Sequence, residues 1–318
     1  MKPDNIPIAP LQESNLSVSY LFAPKELRRR RRWLNRWWPS VRLGTDPLQQ
    51  LRVDGRYVPV SIANWKLIPT MARDLLASRI PRPLTFATDR RLTVVIPYRD
   101  REQHLRELMP VLQAKLREQR IGYRILVVEQ ENGARFNRGR LLNAGIHYSA
   151  EWTDYYCLHD VDAVPIVANY ACPSQPLRLV HNIVGLQGKT RHNDYYFSGA
   201  VSIRKDQVQA ANGFSNEYWG WGKEDDDFFF RLLLTGLLCY YDLEGTYRDL
   251  PNPPHQQVQR RYPWAPAHVR RNRQRRSLLL RGLTDPADDG LNTLRYEVVE
   301  RSGSAEFGPA FEKIRVRW

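Results

Sequence analysis

No stretch of the chain approaches the roughly 20 consecutive apolar residues of a membrane-spanning helix, and the N-terminal residues have no apolar core of the signal-peptide kind. Location in the cytoplasm is the expectation. Cysteine is sparse: Cys157, Cys172 and Cys239 are the only three in 318 residues. That odd count excludes a fully paired disulfide framework, and the spacing is not that of a zinc site. Glycine-rich phosphate loops are missing too. Neither GxGxxG nor GxxxxGK followed by Ser or Thr occurs, so neither a dinucleotide-binding turn nor P-loop chemistry is supported.

Positive charge and aromatic residues are plentiful, with a net charge of +14, 9 Trp and 16 Tyr. The aromatic load suits the faces of sugar rings, and the charge suits a phosphate-rich ligand or an anionic surface. Residues 1–90 read as an N-terminal extension that contains the basic, Trp-rich segment Lys25–Pro39, KELRRRRRWLNRWWP. Arg and Trp together favour the lipid headgroup layer, so peripheral contact with an inner membrane face is one expectation and a solvated helix face the other. No nucleic-acid-binding fold accompanies the run, and no nucleic-acid partner is expected. A second basic stretch, Arg260–Arg276, is expected to be solvated surface, the alternative being attraction to an anionic acceptor.

Residues 91–318 read as a single α/β domain. LTVVIP from Leu92 is a buried-type strand stopped by Pro97, and Leu105, Leu108, Met109, Leu112 and Leu116 recur at helical spacing across Glu102–Glu118. A strand at Tyr123–Gln130, a helix at Phe136–Ala150 and a strand at Asp154–His159 follow. Alternation of this kind predicts a sheet with parallel pairing, flanked by helices, with ligands beyond the carboxyl ends of its strands. Arg99 and Arg101 lie at such an end, and Phe136-Asn137-Arg138 opens the second helix. Guanidinium forks suit phosphate oxygens and an aromatic ring can stack on a base. Asp160-Val161-Asp162 follows the third strand, and both carboxylates face one side if the strand continues. A carboxylate there can hold a divalent metal.

Tyr195–Ile203 reads as a strand interrupted at Ser198-Gly199, Lys205–Asn212 as a short helix closed by Gly213, and Leu237–Asp242 as a further strand. Between them lies Tyr218–Asp227, YWGWGKEDDD. Four adjacent carboxylates repel one another, so the run needs a cation, a helix N-terminus or a proton-accepting task to be tolerated. An acidic helix start is the structural reading; glycines and indoles beside acids suit a sugar site that closes.

The blocks VVIPYRDREQHL, FNRGRLLNAGI, HDVDAVP, YFSGAVSIRKDQ, NGFSNEYWGWGKEDDDFFFRL and DGLNTLRYEV stand in this order. In them the chain from about Leu92 onward resembles the β-1,4-galactosyltransferase family, whose fold is a GT-A type mixed, mainly parallel sheet. TDYYCLHDVDAVP and the charged residue within WGWGKEDDD are most similar to the branch that acts on xylose. The resemblance implies inverting, Mn²⁺-dependent transfer of galactose from UDP-galactose to a sugar hydroxyl of a glycan or glycolipid, through a β-1,4 linkage. Same-fold use of UDP-GalNAc or UDP-glucose, and a glycan- or membrane-binding module, are the alternatives. On matching positions it implies donor binding by Pro97, Tyr98, Arg99, Arg101, Phe136, Arg138, Asp160, Val161, Tyr196 and Trp221. Tyr196 would disfavour an N-acetyl donor. Asp225 would be the general base, Glu224, Asp226 and Trp221 would meet the acceptor, and Asp227 would start the helix. Asp162 would ligate the metal. The family completes that site with a Met or His and then a His. Here GTYRDLPNPPHQQ puts Asp249 and Asn252 at those positions, leaving His255 or Asp249 as the further ligand. Cys172 matches a cysteine that pairs in Golgi relatives, with Cys157 the nearby candidate, and both are expected to be reduced here.

Overall fold

The computed structural model describes residues 57–59, 84–131, 133–185, 188–192, 197–251 and 267–318. Strand β1 (Tyr57–Pro59) and β2 (Phe86–Ala87) precede β3 (Leu92–Tyr98), which is buried along its whole length. Helix α1 (Glu102–Glu118), β4 (Tyr123–Gln130), α2 (Arg138–Ser149) and β5 (Tyr155–His159) follow. Then come β6 (Ala163–Val167), β7 (Cys172–Pro173), β8 (Leu177–Arg178), β9 (Asn182–Val184), β10 (Thr190–His192), β11 (Ala200–Arg204) and the short α3 (Lys205–Ala210). The acidic run opens α4 (Glu224–Leu234), which leads to β12 (Tyr240–Asp242), β13 (Thr246–Asp249), α5 (Ala267–Leu280), β14 (Glu297–Ser302) and β15 (Phe311–Arg317).

Nine strands make the main sheet in the order β1-β12-β8-β11-β5-β3-β4-β15-β14. Its centre, β5-β3-β4-β15, is parallel, while β11 and β14 run antiparallel to their neighbours. Alternation along the central strands sorts their side chains. Leu92, Val94, Ile96, Ile125 and Val127 join Leu105, Leu108, Met109, Leu112 and Leu116 of α1 in one core. Val95, Leu126 and Val128 face α2, α3 and α4 in the other. Each fully buried Leu or Met of α1 contributes about 1.5–3 kcal/mol, enough to carry the helix through the interior Pro110, which removes one backbone hydrogen bond. A smaller sheet, β10-β9-β13-β6, lies on the α1 side through Val164, Ile183 and Tyr247.

The extension drawn at residues 1–90 is not wholly separate from this body. β1 pairs with β12 at the edge of the main sheet, and β2 pairs with β7. Lys25–Pro39 lies outside the described residues. Predicted bounds for α1 and β4 coincide with the structure; α2 starts two residues later than expected because Asn137 caps it, accepting from the Arg140 N–H at 2.9 Å. The expected strand through Phe197–Gly199 begins only at Ala200. Cys157, Cys172 and Cys239 are buried free thiols.

Candidate active site

The parallel centre brings the carboxyl ends of β3, β4 and β5 to one edge. Beyond β3, the Arg99 guanidinium donates to the Ala134 carbonyl at 2.7 Å and lies over the Phe136 ring at 5.3 Å. Arg101 reaches toward Asp162, 4.0 Å away. Beyond β5 the strand does not continue. Asp160, Val161 and Asp162 form a turn closed by the Ala163 N–H on the Asp160 carbonyl, so the two acids are set by that turn and not by strand alternation. A buried chain of polar groups fixes it. The Tyr247 hydroxyl donates to Tyr170 at 3.3 Å, Tyr170 in turn faces His159 Nε2 at 3.2 Å, and His159 Nδ1 faces the Asp160 carbonyl at 2.9 Å. Burial pushes the His159 imidazole down to about 4, which keeps the ring neutral: one nitrogen donates to the carbonyl and the other accepts from the phenol.

Arg138 joins this turn to the acidic run. Its Nε and Nη2 both lie 2.7 Å from Asp160 Oδ1, and its Nη1 is 3.9 Å from Glu224 Oε1. Burial alone would weaken its hold on the proton, but Asp160, Glu224 and Asp225 outweigh burial and raise its pKa further. Its Nη1 and Glu224 Oε2 are both buried without a hydrogen-bond partner, an arrangement that a polar ligand would satisfy.

The four acids of the run have four different environments. Burial first, then the Asp225 charge, pushes the Glu224 carboxyl up to about 8. Asp225 is also raised, by burial and then by Asp226, while Arg138 and Lys223 oppose; its Oδ1 accepts from the Asp226 N–H. Asp226 instead holds two cations, Lys223 at 2.9 Å and Arg276 at 3.0 Å. Asp227 does lie in the first helical turn, but its side chain is buried, receiving the Tyr218 hydroxyl at 2.9 Å and the Arg231 guanidinium. The expectation that it merely starts the helix therefore understates it: Asp227 is half of a buried ion pair.

Backbone geometry ahead of α4 is unusual. Gly220, Lys223 and Gly222 all have positive φ, of 76°, 84° and 99°. For Lys223 this left-handed conformation costs about 1–2 kcal/mol, and its ammonium pairs with Asp226 one turn later. The Gly220 N–H donates to the Phe136 carbonyl at 2.7 Å, and a Cβ there would meet His268 at 2.5 Å. Trp221 is 46% exposed.

An amide network behind the site had no role in the sequence reading. Asn137 donates to the Asn216 carbonyl at 2.7 Å, Asn143 donates to the Phe214 carbonyl at 2.7 Å and to Asn216 Oδ1 at 2.9 Å, and Gln130 Oε1 accepts from Asn137 N at 2.8 Å. These bonds pin 214–216, and with them the acidic loop, to α2. Asparagines within the apolar face of a helix were the available signal. Asp289 serves the same segment through Ser215, Asn216 N and Arg231.

The structure thus unites Arg99 with Phe136, Arg101 with Asp162, and Arg138 with Asp160 and Glu224. It departs from expectation elsewhere. Tyr98 is 3% exposed, its hydroxyl donating to Glu102 at 3.3 Å, and Pro97 is likewise buried; both sit at the end of β3, beneath Arg99 and Arg101. Val161 is 7% exposed. The described part of the second basic stretch, residues 267–276, is not simply solvated surface, since α5 carries Arg276 and Asn272 onto the acidic loop. Tyr196 and His255 lie outside the described residues. Asp249 pairs with Arg191 at 2.7 Å, and its charge is felt by Asp162, whose carboxyl is pushed up to about 6 by burial, Asp160 and Asp249. Among the described residues no three His, Cys, Asp or Glu side chains are grouped as a metal site, and no helix is long and apolar enough to cross a membrane.

Residues 60–173 match the N-terminal region of glycosyl transferase group 7, and residues 180–244 match the N-terminal domain of galactosyltransferase. Human β-1,4-galactosyltransferase 3 is 31% identical over 273 residues, which are 80% of this chain and 64% of that protein. The chain belongs to the β-1,4-galactosyltransferase family. It spans a little under two thirds of the length of such curated relatives, 64%. The fold agrees with this membership of the β-1,4-galactosyltransferases. The catalytic domain of Drosophila β-1,4-galactosyltransferase 7, solved with xylobiose, superposes with a TM-score of 0.59 at 28% identity over 71% of this chain and 93% of that one. A mutant of the same fly protein, solved with manganese, UDP-Gal and xylobiose, gives 0.60 at 25% identity over the same shares of 71% and 93%. The architecture is therefore that of a GT-A glycosyltransferase.

Proposed function

We propose that this family member transfers galactose from UDP-galactose to a sugar hydroxyl with inversion, forming a β-1,4 linkage in a glycan or glycolipid. The observation that carries the reading is the Arg138 bridge, which joins the Asp160–Asp162 turn to the acidic run. Displacement at an anomeric carbon needs a proton acceptor on one side and charge neutralisation on the leaving-group side. Asp225 suits the first task. Among the described residues it has no ion pair within salt-bridge distance, and burial raises its affinity for a proton. In this mechanism its carboxylate takes the acceptor hydroxyl proton as the acceptor oxygen bonds to C1 of galactose. The bond from C1 to the UDP oxygen breaks, and UDP leaves with the electron pair.

On the leaving-group side, Arg99 and Phe136 would hold the uridine, and Arg101 and Arg138 the phosphates. Asp162 would ligate Mn²⁺, with Asp249 or His255 completing the set. The crowding of Asp160 and Asp249 charge on Asp162 is the feature a divalent cation relieves. When bound, such an ion neutralises the departing diphosphate. Glu224, Asp226 and Trp221 would meet the acceptor sugar. Xylosides are the first acceptors to test, because the fly structures contain xylobiose. Asp225→Asn should abolish transfer to a β-xyloside while leaving UDP binding within about three-fold of wild type. Surviving transfer would remove Asp225 from the role of base.

A further inference from the structure

Helix α5 lies against the loop that leads into α4. Asn272, 3% exposed, aims its amide nitrogen at three carbonyls of that loop, sharing its two protons among Trp219 at 3.2 Å, Gly222 at 3.0 Å and, most weakly, Trp221 at 3.5 Å. One turn further along α5, Arg276 Nη1 reaches Asp226 Oδ2 at 3.0 Å. Lys223 takes the same oxygen at 2.9 Å. Both cations therefore converge on Oδ2, and among the described residues no protein group donates to Oδ1. The Arg276 side chain is 21% exposed and that of Asp226 13%, so this pair is less screened than a surface bridge.

We propose that Arg276, supported by Asn272, is the positioning residue that fixes the acceptor-side carboxylate. By occupying Oδ2 together with Lys223, it locks the Asp226 rotamer and leaves Oδ1 directed to an acceptor hydroxyl. Asn272 meanwhile holds the Trp219–Gly222 backbone, whose left-handed residues gain nothing from regular helix bonding. The inference rests on the proposed transferase reading for its substrate but not for its geometry. It also gives α5 a task that its arginine content conceals. Arg276 ion-pairs with the acidic run at 3.0 Å, whereas the Arg275 bridge goes to Asp289 at 3.7 Å.

A charge effect accompanies the steric one. Asp225 is faced by Glu224, Asp226, Lys223 and Arg138. Arg276 offsets Asp226, so its loss leaves more uncompensated negative charge beside Asp225 and raises that carboxyl further.

The test uses the full chain with Arg276→Gln, Arg276→Lys and Asn272→Ala, UDP-galactose as donor and p-nitrophenyl β-xyloside as acceptor. Arg276→Gln should raise acceptor KM about ten-fold, leave the affinity for UDP unchanged, and move the acid limb of kcat/KM to higher pH. Arg276→Lys should recover most of the loss. Backbone hydrogen exchange across 218–227, measured without substrate, should quicken in Arg276→Gln and Asn272→Ala at unchanged global urea stability. Equal acceptor KM and unchanged exchange in Arg276→Gln would overturn the proposal. If the wild-type chain turns over no UDP-galactose, the transferase reading fails, and the exchange arm alone decides whether α5 positions the loop.

Discussion

Replacing Glu224 by Gln isolates a buried proton. The Glu224 side chain is 12% exposed, its Oε2 has no hydrogen-bond partner, and burial with the Asp225 charge lifts it from 4.5 to about 8. A carboxyl whose folded pKa exceeds its unfolded value binds its proton more tightly when folded. Its contribution to stability is therefore full below the unfolded value and is lost as pH rises through the folded one. With one pKa unit equivalent to 1.36 kcal/mol, the loss between about pH 6 and pH 8 is about 2 kcal/mol. The amide of Glu224→Gln cannot ionise, so this component of the pH dependence should vanish. Asp225 and Asp227 titrate in both proteins and largely cancel in the difference. Urea unfolding followed by tryptophan fluorescence at several pH values would measure it. The stability of Glu224→Gln relative to wild type should grow by about 2 kcal/mol from about pH 6 to pH 8. Two parallel curves would mean that Glu224 is already ionised when folded, and the argument from burial would be refuted.

Arg231→Ala should destabilise the fold by about 3–5 kcal/mol, because it strands the Asp227 carboxylate in a site that is 3% exposed; Arg231→Met paired with Asp227→Leu should recover part of that loss in the same urea assay. Mn²⁺ should tighten UDP binding to the wild-type chain at least ten-fold in calorimetry, and Asp162→Asn should remove the effect. Comparing Asp249→Asn with His255→Ala then identifies the second ligand, since the variant lacking it loses most of the Mn²⁺ enhancement. A chain beginning after Pro39 should lose most of its co-sedimentation with anionic liposomes, and equal sedimentation by both chains would remove Lys25–Pro39 as a membrane contact.

The central strands and α1 were legible because their residues obey short periods. Leu92–Tyr98 is a continuous apolar run, and Leu105, Leu108, Leu112 and Leu116 repeat at helical spacing. The acidic run and the Asp-Val-Asp turn were legible as chemistry, since adjacent carboxylates need a reason to coexist. Their mutual geometry was not. Whether Asp160 and Asp162 share a face depends on where β5 ends, and that is set by buried Tyr170 and Tyr247, the latter from β13, acting through His159. The fate of Asp227 depends on Arg231 one turn along the same helix and on Tyr218; the i,i+4 spacing to Arg231 was the local signal available.

The sequence by itself determined the family and the order of the central elements from β3 to β5, because these follow from nearest-neighbour periodicity and from ordered blocks of residues. Tertiary structure decided the different surroundings of Glu224, Asp225 and Asp226. These chemically similar acids acquire different partners from what is folded against them, Arg138 from α2 and Arg276 from α5, whereas Asp227 finds Arg231 within its own helix. Burial and charge at a few ångströms set a carboxyl's proton affinity, and those distances come into being only when helices far apart in the chain close around the site.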